Sequence, residues 1–152
     1  MGVTQIWTIG YENVGAGDFI AALSKAKIKT LIDVREVANS RRAGFSKKAL
    51  AASLDAAGIA YIHMKALGTP KAGRDAARKG DVDTMHAIMA IKLDGEESQM
   101  ALAETAEIAR NARTALMCLE HDWRVCHRNL VAQRLEAGFG LKPKHLSPAP
   151  AQ

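Results

Sequence analysis

Short apolar runs alternate with longer amphipathic stretches along this chain. Residues 4–9, 30–34, 59–63 and 114–118 are short, apolar and bounded by polar or glycine-containing segments. Runs of this length and composition are typical of β-strands. Residues 142–146 show the same character faintly, and we predict at most a weak final strand there.

Between these runs, apolar residues recur every three or four positions, which predicts amphipathic helices. Phe19 and Leu23 lie on one stripe of a predicted helix over residues 16–26. Ser46 is a suitable N-cap for a second helix, which we expect to end at Gly58. The same spacing predicts further helices over residues 82–93, 97–111 and 129–136.

Two segments lack both patterns and are predicted to be loops. Residues 35–45 are mostly polar. Residues 64–79 contain Gly68, Pro70, Gly73 and five basic residues, so we expect an exposed loop with one helical turn at most.

The repeated order of strand and helix predicts an α/β fold, because each parallel connection needs a crossover of about a dozen residues or more. We expect three layers, with helices on both faces of a mostly parallel sheet of four to five strands. Residues 1–146 are predicted to form a single domain. Residues 147–152 have little to bury and are predicted to be a disordered tail.

Composition narrows the class of protein. Hydrophobic residues make up 48% of the chain, yet no apolar run is long enough to span a bilayer. The first residues lack the character of a signal peptide, so a cytoplasmic location is expected. Two cysteines cannot build a disulfide framework. The formal net charge of +5 favours an anionic partner such as phosphate or nucleic acid.

The predicted fold brings chemically active residues together at one edge of the sheet. Tyr11 follows the first strand, Asp33 and Arg35 the end of the second, and Cys118 and Glu120 the end of the fourth. Ligands bind beyond the carboxyl ends of the strands in open α/β sheets. We therefore expect the functional site at this edge.

Six motifs, taken in their order along the chain, resemble those of a prokaryotic protein family, the domain of unknown function 488 (DUF488). The motifs are Thr8–Asn13, Asp33–Arg35, Ser40–Lys47, Leu67–Lys71, Cys118–Glu120 and Cys126–Arg128. The resemblance implies an α/β domain over about residues 4–146 and carries no established biochemical activity. Ala38 stands where such proteins usually have a proline, which affects the stiffness of that loop.

The segment from Cys118 to Arg128 is the densest in reactive side chains. Cys126 lies at the predicted start of the last helix, where unpaired amides and the helix dipole lower the pKa of a thiol. There it is a candidate nucleophile, with His127 as base and Arg128 as an anion ligand. The alternative is a buried structural thiol.

Cys118 ends a buried strand, which favours an inert core role. Its separation from Arg124 matches the Cys-x5-Arg spacing of tyrosine phosphatases and sulfurtransferases. Their anion loops need small residues, whereas the residues between Cys118 and Arg124 are bulky and include two carboxylates. We therefore interpret Arg124 as a surface residue.

A zinc site is the other chemistry that these residues suggest. Cys118, His121, Cys126 and His127 supply the sulfur and nitrogen ligands that tetrahedral zinc prefers. Their spacing differs from that of familiar zinc sites. We predict no metal site, and the sequence does not identify a cofactor.

The favoured function is an enzyme that acts on a phosphate-bearing substrate, a nucleotide or a nucleic acid at the carboxyl edge of the sheet. The alternatives are a non-catalytic nucleic-acid-binding module and a thiol redox sensor that uses Cys118 and Cys126. The candidate catalytic residues are Asp33, Glu120 and Cys126. The candidate substrate-binding residues are Tyr11, Arg35, Ser40, Arg41, Arg42, Lys47, Lys71, His127 and Arg128.

Overall fold

The computed structural model describes residues 2–148, which form five strands and six α-helices. The strands are β1 (Gln5–Gly10), β2 (Thr30–Asp33), β3 (Ala60–His63), β4 (Thr114–Cys118) and β5 (Lys142–His145). The helices are α1 (Ala16–Lys25), α2 (Lys47–Ala56), α3 (Lys71–Arg78), α4 (Val82–Leu93), α5 (Glu96–Asn111) and α6 (His127–Phe139). Short 3₁₀ turns occur at Lys65–Leu67 and Trp123–Val125.

The strands form a single parallel sheet in the order β3-β2-β4-β1-β5. The predicted α/β fold is confirmed, and the weakly predicted last strand is present as β5 at the edge. The central strand β4 lies between β1 and β2, with Gly10 opposite Cys118 and Asp33 opposite Met117. The carboxyl ends of β1, β2 and β4 therefore meet at the middle of one edge.

Alternating residues of the buried strands face two apolar layers. Trp7 and Leu31 pack with Phe19 of α1 and other residues of α1 and α2 on one face. Ile6 and Ile32 pack with residues of α4, α5 and α6 on the other. Fully burying such side chains contributes about 1.5–3 kcal/mol each, so both faces must be covered. The predicted three-layer arrangement is confirmed.

The prediction of a loop over residues 64–79 is wrong for half of that segment, because residues 71–78 form helix α3. Pro70 occupies the N-cap position, ahead of the first turn, where a proline does not interrupt helical hydrogen bonds. Gly73 faces Thr69 and Ile88 so closely that a Cβ atom would lie 2.4 Å from the Thr69 methyl group. The glycine and the proline thus permit a tightly packed helix here.

The segment between β2 and α2 is anchored by an apolar cluster although its sequence is mostly polar. Phe45 is fully buried, stacks on Tyr11 with ring centroids 4.5 Å apart, and meets the edge of Phe19. Ser46 is the N-cap residue of α2, as predicted, and its hydroxyl bonds Ser40 instead of the first turn of the helix. The segment is therefore held against the sheet edge.

The carboxyl end of the described chain follows β5 directly. Pro148 is buried, and the remaining residues of the predicted disordered tail, 149–152, lie outside the described residues. None of the helices formed by residues 2–148 has the length and apolar character needed to cross a membrane.

Candidate functional site

A cavity of about 380 Å³ opens at the carboxyl edge of the sheet. Its walls come from the segments that follow β1, β2 and β4 and from helices α3, α4 and α6. The polar and reactive residues that line it include Tyr11, Glu12, Arg35, Glu36, Asn39, Arg74, Arg78, Cys118, Glu120 and His127. A volume of this size suits a small molecule.

Two thiols and an imidazole meet at the base of the cavity. The Sγ atom of Cys118 lies 3.3 Å from Nδ1 of His127 and 3.7 Å from Oε2 of Glu120. Cys118, Cys126 and His127 place one sulfur or nitrogen atom each within 4.8 Å of one another. Cys118 lines the cavity, whereas Cys126 is fully buried and is not among the described residues that line it.

The orientation of His127 makes it a base for Cys118. Its Nε2 atom lies 2.7 Å from the carbonyl oxygen of Val34, which can only accept a hydrogen bond. Nε2 therefore carries a proton in both protonation states, and the lone pair of Nδ1 faces the Cys118 thiol when the ring is neutral. Burial lowers the pKa of His127, but the neighbouring Cys126 sulfur outweighs it and raises that pKa. A thiol and a base within hydrogen-bond distance are the arrangement that activates a cysteine nucleophile.

Cys126 occupies the N-cap position of α6, as the sequence predicted, with an extended backbone and no side-chain cap. Burial raises the pKa of the Cys126 thiol, but hydrogen bonds with Cys118 and His127 and the charges of His127 and Arg128 outweigh it and lower the pKa well below its usual value. The positive end of the α6 dipole also favours a thiolate there. Burial and the neighbouring Cys126 sulfur raise the pKa of Cys118.

Arg128 is a fully buried cation beside the thiols. Its Nη1 and Nη2 atoms donate to the backbone carbonyls of Glu120, at 2.5 Å, and His121, at 3.4 Å, while Nε has no hydrogen-bond partner among residues 2–148. Within residues 2–148, no carboxylate forms a salt bridge with Arg128. A buried charge is costly unless an opposite charge lies nearby, so Arg128 favours an anion at the thiols.

Gly10 allows the loop after β4 to approach the end of β1. A Cβ atom at Gly10 would lie 1.9 Å from the carbonyl oxygen of Glu120 and 3.1 Å from Nη1 of Arg128. Hydrogen bonds from Tyr11 and Glu12 to the carbonyls of Cys118 and Leu119 hold the two segments together. The Glu120 position thus depends on the absence of a side chain at Gly10.

Glu120 has the properties of a general acid near neutral pH. Burial and the neighbouring Cys126 thiolate raise its pKa to about 7. The carboxyl lies against the Cys118 sulfur and lines the cavity. Groups whose environments push their pKa values in opposite directions, as Glu120 and Cys126 do, are candidates for acid and nucleophile roles.

Asp33 and Arg35 form a buried ion pair behind the cavity wall. Nη2 of Arg35 lies 2.7 Å from Oδ2 of Asp33, and Nη1 donates to the Tyr11 hydroxyl. Tyr61 donates its hydroxyl to the same Asp33 oxygen at 2.6 Å. Asp33 is fully buried and orients Arg35, which with Tyr11 lines the cavity.

The other predicted anion ligands lie away from the cavity lining. Ser40 bonds the backbone of Arg42, whose guanidinium donates to the Val14 carbonyl. Arg41 and Lys47 are exposed. Lys71 is also exposed and forms a surface pair with Asp75. These residues order the segment after β2 or face solvent.

Sequence reasoning did not select Arg74 and Arg78 as site residues, although both line the cavity from α3. Arg74 pairs with Glu36 at 2.7 Å and donates to the Thr69 carbonyl, which joins α3 to the segment after β2. Arg78 is 68% exposed and pairs weakly with Asp75. Their spacing of four residues indicates one helix face, a signal that the predicted loop concealed.

Cys118, Cys126 and His127 are also the donor types that zinc prefers. The Val34 carbonyl accepts a hydrogen bond from His127 and fixes its ring, as the hydrogen-bond partners of zinc-bound histidines do. His121, the fourth ligand considered from the sequence, is exposed and outside this group. The buried charge of Arg128 and the amino end of α6 favour an anion at these atoms over a cation.

Comparison with protein families decides what this chain is related to. Residues 16–135 match the family described as Domain of unknown function DUF488. The protein belongs to the DUF488 family. The match confirms the resemblance predicted from the motifs and includes Cys118, Glu120, Cys126 and His127 of the DUF488 chain. Neither the search of curated proteins nor the search of solved structures returned a match.

Proposed function

We propose that this DUF488 protein is an enzyme that uses Cys118 as a nucleophile on a small phosphate-bearing substrate bound in the cavity. One observation carries the proposal: Cys118 lines the cavity, and its sulfur lies 3.3 Å from a base, Nδ1 of His127, and 3.7 Å from an acid, Glu120. The sequence favoured Cys126 for this role. Its burial behind Cys118 favours Cys118 as the sulfur that meets substrate.

The chemistry is a displacement in two steps. The Cys118 proton passes to His127, and the sulfur attacks the electrophilic atom of the substrate. Glu120, protonated up to about pH 7, gives its proton to the leaving group. Water or a second substrate then attacks the covalent adduct and releases Cys118, while Glu120 takes a proton from this attacking molecule and His127 returns its proton to the Cys118 sulfur.

The charges around the cavity favour an anionic group near Arg78. The charge of Arg74 is balanced by Glu36, and that of Arg35 by Asp33. Arg78 pairs with Asp75 at the surface, where an exposed ion pair contributes little and yields readily to a ligand. Phosphate and carboxylate groups accept paired hydrogen bonds from such a guanidinium.

Alkylating reagents test this assignment before a substrate is known. Iodoacetate carries a carboxylate and iodoacetamide does not, so we expect iodoacetate to modify Cys118 preferentially and Arg78→Ala to abolish that preference. Lys71→Ala, an exposed residue off the cavity lining, serves as the control. Equal preferences in all three proteins would refute anion binding at Arg78.

Turnover provides the second test. A panel of phosphate monoesters and nucleotides is assayed with the wild type and with Cys118→Ser. We expect at least one compound to be converted by the wild type and not by the variant. Conversion that persists in Cys118→Ser would refute the proposed nucleophile.

A nucleic-acid-binding module is the second candidate, favoured by the exposure of Arg41, Lys47 and Lys71. Binding of this kind weakens steeply with salt and is insensitive to Cys118→Ser. Loss of polynucleotide binding at low salt in an Arg41→Ala, Lys47→Ala double variant would support it. The absence of any such binding in the wild type would exclude it.

A further inference from the structure

We propose that Cys118 and Cys126 form a reversible intramolecular disulfide by thiol–disulfide exchange with small organic disulfides that enter the cavity. The inference deepens the proposed function, because the disulfide would remove the Cys118 nucleophile. Formation of the disulfide itself does not depend on that function.

The two sulfurs occupy unequal positions. Cys118 ends β4 and lines the cavity, where a small reagent can reach it. Cys126 is fully buried at the amino end of α6, behind Cys118. An external disulfide therefore meets Cys118 first, and Cys126 meets only what Cys118 has bound.

The distance between the two sulfurs is short enough to be closed by side-chain rotation. Each lies within 4.8 Å of the other, and both cysteines are free thiols. A disulfide requires about 2 Å, so the sulfurs must approach by up to about 3 Å. We expect rotation of both side chains about χ1 to supply this approach.

The reaction balances with the organic disulfide RSSR as oxidant. The Cys118 proton passes to His127, the sulfur attacks RSSR, and one thiolate RS⁻ leaves. The Cys126 thiolate then attacks Cys118 in the mixed disulfide, and a second RS⁻ leaves. Counted from two protein thiols, RSSR gives one protein disulfide plus two RSH. The Cys118 proton reaches a released thiolate by way of His127, and the proton that Cys126 lost on ionisation reaches the other by way of solvent.

The surroundings of Cys126 suit a resolving thiol. The amino end of α6 and the buried Arg128 both stabilise a thiolate at this position. A thiolate is the reactive form in exchange, and burial shields this one from outside reagents.

Mass spectrometry after treatment with oxidised glutathione tests the proposal. The wild type is expected to lose two hydrogens and retain no glutathione. Cys126→Ser and Cys126→Ala are expected to keep one glutathione on Cys118, and Cys118→Ser to keep none. Two substitutions at Cys126 guard against a misfolded variant, and circular dichroism checks each one.

The outcomes separate this inference from the proposed enzyme activity. A stable glutathione adduct on wild-type Cys118, or no reaction with oxidised glutathione, would refute the proposed disulfide and leave the turnover assay unaffected. Formation of the disulfide without turnover of any phosphate-bearing compound would support the inference while the proposed function fails. Reduction with dithiothreitol is expected to restore both thiols.

Discussion

Replacing Glu120 with glutamine removes a half-buried carboxyl whose pKa lies at about 7, raised by burial and by the Cys126 thiolate. Because the pKa is higher in the folded chain than in the unfolded chain, the native state binds more protons between the two values. The free energy of unfolding that this group contributes is therefore fully present below about pH 4.5. It is lost as the pH rises through about 7.

The size of the effect follows from the two pKa values. A rise from the ordinary value of 4.5 to about 7 corresponds to about 3 kcal/mol, at about 1.4 kcal/mol for each pH unit. Glutamine cannot ionise, so the free energy of unfolding of Glu120→Gln does not fall with pH on account of this position. Relative to the variant, the wild type should lose about 3 kcal/mol between about pH 4.5 and pH 8.

Urea unfolding of both proteins across this pH range measures the difference. Glu104→Gln, on the exposed side of α5, is the matched control and should follow the wild type at every pH. A constant difference between wild type and Glu120→Gln from about pH 4.5 to pH 8 would refute the raised pKa. It would also remove the argument for Glu120 as an acid at neutral pH.

Two further predictions concern the loop that carries Glu120. Gly10→Ala forces a Cβ atom to 1.9 Å from the Glu120 carbonyl oxygen, so the free energy of unfolding should fall by about 2 kcal/mol or more. Gly138→Ala is the control, because its Cβ atom meets open space on α6, and it should raise the free energy of unfolding by up to about 1 kcal/mol. Calorimetry distinguishes them, and equal effects would contradict the close approach. Arg128→Met should slow alkylation of Cys118 at neutral pH about tenfold, whereas Arg128→Lys keeps the charge and most of the rate. Unchanged alkylation in Arg128→Met would remove its electrostatic role.

Hydrophobic patterning was sufficient to predict most of the fold. Thr30–Asp33 and Thr114–Cys118 are short buried runs whose neighbours supply the crossover helices, so their parallel pairing follows from the order of elements. Helix α3 was missed because Gly73 and Pro70 indicate a loop in isolation. Their role in the packing of α3 depends on contacts with Thr69 and Ile88, which no local pattern contains.

The site was predictable in position and less so in detail. Parallel strands place Arg35, Cys118 and Glu120 at one edge, and all three line the cavity. Which thiol faces substrate depends on the depth of Cys126 behind Cys118, and this follows from three-dimensional packing. The base role of His127 rests on its bond to the Val34 carbonyl, 93 positions earlier in the chain, a contact that spacing cannot indicate.

The most direct test of the central claim is the pH dependence of Cys118 alkylation by iodoacetamide, followed by peptide mass spectrometry in the wild type and in His127→Gln. Although the pKa of Cys118 itself is raised, we expect Cys118 to react at neutral pH by transfer of its proton to His127 while Cys126 stays unmodified, and His127→Gln to shift the profile to higher pH. A wild-type profile that rises only above about pH 8.5, and that His127→Gln leaves unchanged, would contradict an activated thiol in this cavity.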